Sequence, residues 1–317
     1  MRLDRILALT LITLCLVAAL GNLLGGPPSS WEDADGANAT MGDANVALLN
    51  IYGTISDAEA TGLFSSAEGA NANQLIKSIQ DAREDQQIKA ILLRINSPGG
   101  TAAASEAVYE ELMRTRKETD IKIIASLGDV AASGGYYIAS AAHHIVANPA
   151  TVTGSIGVIL RSQNVSGLLN KVGVQTSTFQ SGPYKDILSP FRESKPKERE
   201  ILQGIVDDSY DQFLKAIVAG RSITLSQLKP LAEGQIFTGA QAKAVNLVDS
   251  LGNYTDALQK TAEIAKIKGK PQVRDFGKAN PFGDWDLFST ARVQQWLPDF
   301  AKAQSMGWQN IPLTLME

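Results

Sequence analysis

Ala90-Ile91-Leu92-Leu93-Arg94-Ile95 and Lys122-Ile123-Ile124-Ala125-Ser126-Leu127 are two short, nearly continuous apolar runs, and a helical pattern over Ala102–Arg116 separates them. Two strands spaced by one helix of this length read as a βαβ unit. Working outward, Val46–Ile51 reads as a strand and the stretch around Gln74–Ala82 as a helix; His144–Ala147 and Val174–Phe179 read as further strands. The expected class is therefore α/β with a largely parallel sheet. Further on, Lys195–Ala219 carries Ile201, Ile205, Val206, Tyr210, Phe213, Leu214 and Ile217 at three- and four-residue steps, a long amphipathic helix whose apolar stripe is expected to pack on the core. Gly234–Gly239 followed by Ala240-Gln241-Ala242 reads as strand, turn and helix.

Chemistry enters at Gly128-Asp129-Val130-Ala131-Ala132-Ser133-Gly134-Gly135-Tyr136-Tyr137, which reads as a strand end, a tight turn of small residues and a helix start. A serine at such a turn is displayed at the mouth of the sheet, where backbone N–H groups can meet developing negative charge. Ser133 is the candidate nucleophile; its bland reading is a helix N-cap. Asp129 reads as a turn or capping group. The base has two sources. The chain holds only two histidines, His143 and His144, shortly downstream in a helix end running into a strand, and both read as structural. Lys185, in Ser181-Gly182-Pro183-Tyr184-Lys185-Asp186-Ile187-Leu188, can serve if desolvation makes it neutral. Asp186 would oppose this if it faced the amine, but on an extended segment adjacent side chains point to opposite sides.

Four motifs in order carry a family resemblance: Asn96-Ser97-Pro98-Gly99-Gly100, Ala132-Ser133-Gly134-Gly135-Tyr136-Tyr137, Thr153-Gly154-Ser155-Ile156-Gly157-Val158 and Gly182-Pro183-Tyr184-Lys185. Over about residues 46–276 the chain resembles the short, single-domain form of the signal peptide peptidase A family of membrane-anchored serine proteases. The resemblance implies the fold shared with Clp-type proteases and crotonase-type enoyl-CoA hydratases. It also implies a Ser133/Lys185 dyad, with the Ser155 hydroxyl holding the lysine in line and the N–H groups of Gly134 and Gly100 forming the oxyanion hole. No cofactor or metal is implied. A ring or dome of subunits is, with Ser133 of one protomer meeting Lys185 of its neighbour.

The formal net charge of −4 comes without a long basic run, so nucleic acid is not an expected partner. The single cysteine, Cys15, excludes an intrachain disulfide, a cysteine nucleophile and a cysteine-based metal site in the folded part. Cys15 itself lies in Ile6–Leu20, an apolar run preceded by Arg2 and Arg5. Residues 1–25 fit both a membrane anchor and a cleaved leader; the charges keep the N-terminus cytoplasmic and send the bulk of the chain to the extracytoplasmic side, and the resemblance favours the anchor. Residues 26–45 have the composition of a flexible linker, 46–276 form the expected catalytic domain, and 277–317 are an aromatic-rich extension with Trp285, Trp296 and Trp308, for which packing on the surface or between subunits is favoured over contact with the nearby membrane.

Three functional classes follow. The favoured one is a membrane-anchored serine endopeptidase that degrades hydrophobic peptides such as signal-peptide remnants. The second is an acyl-CoA hydratase or isomerase on the related fold, which would need glutamates at the reacting carbon and a CoA site. The third is a catalytically silent membrane scaffold, which would have lost its nucleophile or its base.

Overall fold

The computed structural model describes residues 44–57 and 69–277. The N-terminal apolar segment, the linker through residue 43 and the C-terminal extension beyond Gly277 lie outside the described residues. Among the described residues no helix is long and apolar enough to cross a membrane.

Six parallel strands build the main sheet in the order β10 (Val273–Asp275), β1 (Val46–Tyr52), β4 (Ala90–Ser97), β5 (Lys122–Ala132), β6 (His144–Ala147) and β9 (Ser250–Leu251). A short parallel pair, β2 (Thr54–Ser56) and β3 (Gly69–Asn71), stands apart from it. The central strands are apolar on both faces because both faces are covered. Along β4, Ile91, Leu93 and Ile95 enter one core, and Ala90 and Leu92 enter the other. The first core is shared with α1 (Ala72–Glu84), α2 (Ala102–Glu118), α3 (Gly134–Ala139) and the C-terminal part of α5 (Pro196–Gly220). The second is closed by α8 (Tyr254–Ile264) through Ala257. Local signals set the helix starts. Asn71 Oδ1 accepts the Gln74 N–H at the head of α1, and Pro196 opens α5 while the Glu198 carboxylate reaches back to the Lys195 N–H.

The pairing of β4 with β5 shifts between Ile95↔Leu127 and Ser97↔Ala131, so β5 carries two extra residues there. This bulge lets one strand serve two neighbours. Its first half pairs with β6 (Ile124↔His144), and its last three residues pair with β7 (Val152–Gly154), which in turn pairs antiparallel with β8 (Ile236–Thr238). The Val130 N–H donates to Asn96 Oδ1 and the Thr151 hydroxyl to the Gly128 carbonyl, fixing both sides of the bulge.

The βαβ unit and the strand–helix element at β8 and α7 (Gly239–Ala244) match expectation. Four readings are corrected. Val174–Phe179 forms no strand; it is exposed throughout, Phe179 to 98%, and pairs with no strand among the described residues. Asp129 is neither a turn nor a cap but an exposed residue of β5, because the bulge carries the strand five residues past Leu127. The folded domain begins before Val46, since Ala44 is buried and the Asn45 N–H donates to the Gln272 carbonyl. The stripe of α5 packs on the core only through Phe213, Leu214 and Ile217, with Tyr210 partly covered; Ile205, nearer the N-terminus, is 53% exposed.

Candidate active site

β4, β5 and β7 all end on the same side of the sheet, where loops after parallel strands gather chemistry. At the end of β5 the chain breaks sharply. Ser133 has φ 50° and ψ −120°, a conformation that costs a residue with a side chain about 1–3 kcal/mol and persists only where surroundings impose it. The surroundings here are specific. The Ser133 N–H donates to the Gly154 carbonyl at 2.9 Å, and the Ser133 carbonyl accepts from the Tyr137 N–H at 2.8 Å. Helix α3 behind it is buried along its whole length. Tyr136 donates its hydroxyl to the Leu247 carbonyl, and the Tyr137 ring stacks on Phe213 at 4.6 Å and meets Tyr109 edge-on at 5.2 Å.

The loop after β4 is brought to this turn from the other side. Ile55 donates its N–H to the Gly99 carbonyl and accepts from the Thr101 N–H, which lays Asn96–Gly100 along β2. Ser97 Oγ braces the loop by donating to the Gly53 carbonyl and accepting from the Gly99 N–H. The approach is close: a Cβ on Gly134 would lie 2.3 Å from Ser105 Oγ and 3.1 Å from the Gly100 nitrogen. Among the hydrogen bonds of the described residues, the N–H groups of Gly100 and Gly134 have no acceptor. Two free donors thus flank Ser133, the arrangement an oxyanion needs.

Ser155 sits directly after β7, also at φ 50°, with its N–H given to the Gln235 carbonyl and its hydroxyl without a partner among the described residues. A cavity of about 220 Å³ opens beside Ser133, Gly134 and Gly100. Tyr137 and Phe213 line it with aromatic rings, Gly157–Ile159 add further apolar lining, and Thr101, Ser105 and Ser209 are polar.

Lys185 does not line this cavity. It is exposed, on a chain of turns in which Lys185, Ile187 and Ser189 donate to the carbonyls of Gly182, Tyr184 and Asp186. The segment is therefore not extended, as expected above, because Gly182-Pro183 starts a turn rather than a strand. Its apolar neighbours do not bury the amine within one chain: Tyr184 is 42% and Leu188 38% exposed. Asp186 has its own partner. The Arg192 guanidinium binds both oxygens of the Asp186 carboxylate at 2.7 Å and both oxygens of Glu198 at 2.8 and 2.6 Å. These charge-assisted bonds from Arg192 hold the Asp186 and Glu198 carboxyls down to about 2, with the Lys195 N–H adding to the effect at Glu198.

Neither histidine lines the cavity, and each has a partner of its own. His143 Nδ1 accepts the Ile123 N–H at 3.0 Å, and burial, with the Arg116 and Lys122 charges, pushes its imidazole down to about 4. His144 Nε2 pairs with Ser250 Oγ at 2.9 Å, and burial lowers it too. Among the described residues no group of three His, Cys, Asp or Glu side chains is placed to hold a metal ion. Sequence reasoning did not find Asn96 and Thr151 as fasteners of the bulge, Tyr137 and Phe213 as cavity wall, or Arg192. Asn96 and Tyr137 stood inside quoted motifs, but their partners are remote in sequence and carry no local signal.

With this geometry in view, the family description "Peptidase family S49" matches residues 115–268 and "Clp protease" matches residues 43–152. A protein named as a signal peptide peptidase SppA in Enterococcus faecium is 37% identical over 276 residues, covering 84% of this chain and 79% of its own. The chain belongs to peptidase family S49. Protease 4 of Salmonella typhi is 40% identical over 182 residues, 57% of this chain and 29% of that protein. A protein named as a protease in Synechocystis is 50% identical over 178 residues, 56% of this chain and 64% of its own. The matches thus span less than two thirds of the length of these last two relatives. Within this S49 chain, Ser133, Ser155 and Lys185 fall in the first matched region and Gly100 in the second.

Proposed function

We propose that this S49 protein is a serine endopeptidase in which Ser133 is the nucleophile and Lys185 the base. The observation that carries the reading is Ser133 itself, held in a strained turn between the free N–H groups of Gly100 and Gly134 at the mouth of a cavity. Ser133 Oγ attacks the scissile carbonyl as its proton passes to Lys185 Nζ. The oxyanion is received by the two N–H groups. Nζ then returns the proton to the leaving amine, and the acyl-enzyme is opened by a water that Nζ deprotonates in turn. The Ser155 hydroxyl, free and beside the Ser133 turn, orients the amine.

Lys185 is exposed and outside the cavity of its own chain, which agrees with a base supplied to the Ser133 of a neighbouring protomer in a ring or dome. A cavity with an aromatic wall suits apolar side chains, so hydrophobic peptides such as signal-peptide remnants are the proposed substrates, met by a domain that residues 1–25 anchor on the extracytoplasmic side of the membrane. Among the described residues that line the cavity none is a glutamate, the group that acyl-CoA hydration or isomerisation would need at the reacting carbon.

The test is cleavage of a signal-peptide-like substrate by the full chain between about pH 6 and pH 10, beside Ser133→Ala and Lys185→Ala. Both variants should be inactive, and the wild type should gain activity as pH rises. Mixed oligomers of the two inactive variants should recover part of the activity. Full activity of a correctly assembled Lys185→Ala would remove the lysine from the mechanism, and a wild type that cleaves nothing would favour the scaffold.

A further inference from the structure

Lys185 poses a structural problem that the dyad reading leaves open. From residue 159 to residue 195 no side chain of the described chain reaches the buried core, so the turn carrying the lysine gains little position from apolar packing. Yet a base must be held to a fraction of an ångström to take a proton. We propose that Arg192 is the positioning residue for Lys185, a clamp that fixes the lysine turn to the first turn of α5. The inference rests on the reading of Lys185 as the base.

The geometry is that of a bridge. One guanidinium grips Asp186, the residue next to Lys185, through Nε and Nη2, and adds a contact from Nη2 to the Asp186 carbonyl at 3.3 Å. The same group grips Glu198, whose side chain is 1% exposed, through Nη1 and Nη2. Glu198 is itself tied to the helix start, because its carboxylate also accepts the N–H of Lys195, the cap of α5. A second, weaker tie runs parallel, from Lys195 Nζ to the Pro183 carbonyl at 3.3 Å. The second half of α5 provides Ser209 and Phe213 to the cavity and is pinned by the Tyr109 hydroxyl, which donates to the Ala216 carbonyl. Helix α5 therefore fastens the lysine turn to the body of the protomer that presents the base, with Arg192 as the joint. Only a planar, forked cation can bind two carboxylates in this way; an ammonium is a point charge and cannot.

Substitutions on either side of the joint separate the clamp from the base. Asp186→Ala removes the two carboxylate bonds that tie Arg192 to the lysine turn, leaving only the 3.3 Å contacts to the Asp186 and Pro183 carbonyls, and keeps the Arg192–Glu198 pair intact. Arg192→Lys keeps a cation beside the buried Glu198 but cannot bridge. With the full chain and a signal-peptide-like substrate, each should lower kcat by about 10- to 100-fold, the cost of a base displaced by an ångström, with KM within about twofold and the oligomer unchanged. Where one variant fails to fold, the other decides. A kcat for either folded variant equal to or above that of the wild type overturns the clamp, as does a loss confined to KM. Lys185→Ala is measured in parallel: if it stays active, the base assignment itself has failed; if it is inactive while Asp186→Ala and Arg192→Lys run at full rate, only the clamp has failed.

Discussion

Ser133 and Ser155 each stand one residue past the register pair Ala132↔Gly154 of the neighbouring parallel strands β5 and β7, and each has φ 50°. The two are joined through Gly154, whose carbonyl takes the Ser133 N–H. Two non-glycine residues in a conformation suited to glycine, side by side at strand ends, mark a place where strain is held by the fold.

That strain predicts a stability difference between two inactive enzymes. Ser133→Ala keeps a Cβ at φ 50°, whereas Ser133→Gly removes it where only glycine is at ease. Both should abolish cleavage, but the glycine variant should be more stable than the alanine variant by about 1 kcal/mol, read as a higher thermal midpoint. Equal midpoints would show that the turn is not strained.

The oxyanion geometry predicts that Gly134→Ala is far more damaging than one methyl group ordinarily is. The new Cβ would lie 2.3 Å from Ser105 Oγ and 3.1 Å from the Gly100 nitrogen. The added methyl should push the two donors apart and lower kcat by about 10²- to 10³-fold. Ser105→Ala in the same chain removes the first clash but not the second, so it should recover thermal stability while the rate stays low. Recovery of the rate as well would mean that the Gly100–Gly134 spacing is not what the reaction depends on.

Much of this site was legible in the sequence because its parts are local. Strand Ala90–Ile95, the helix after it, strand Lys122–Leu127 and Ser133 followed by two glycines each announce themselves within a few residues. The rest depends on partners distant in the chain. Val174, Thr176 and Thr178 alternate as a strand would, but a strand exists only where another edge pairs with it, and none among the described residues does. The extension of β5 past Leu127 depends on Asn96 and Thr151 holding the bulge, and the placement of Lys185 on Arg192 and Glu198. Hydrogen bonds across such separations leave no periodicity to read.

His143 predicts an acid weakness unrelated to catalysis. Burial holds the imidazole down to about 4 in the folded chain, against about 6.5 when unfolded. Between these values the unfolded state binds the extra proton, so stability falls as pH drops from about 6.5 to about 4. For a half-buried ring screened by solvent the loss is on the order of 1–2 kcal/mol. His143→Gln should flatten the dependence of the thermal midpoint on pH across that window and leave the peptide-cleavage rate above pH 7 unchanged. A midpoint that still falls as steeply in the variant would move the effect to another group.

The cavity wall predicts substrate choice. Phe213 is buried, stacks on Tyr137 at 4.6 Å and closes one side of a space of about 220 Å³. Phe213→Leu removes ring volume at that wall while keeping an apolar surface, at a cost in stability of about 1–2 kcal/mol. If a substrate side chain occupies this space, the enlarged pocket should accept bulkier residues. The ratio of kcat/KM for peptides with an aromatic residue at the cleaved bond to those with leucine should rise about 10-fold, the scale on which an apolar pocket discriminates by size. An unchanged ratio, with the protein folded, would place the substrate side chain elsewhere and leave the Tyr137–Phe213 stack as packing behind the Ser133 turn.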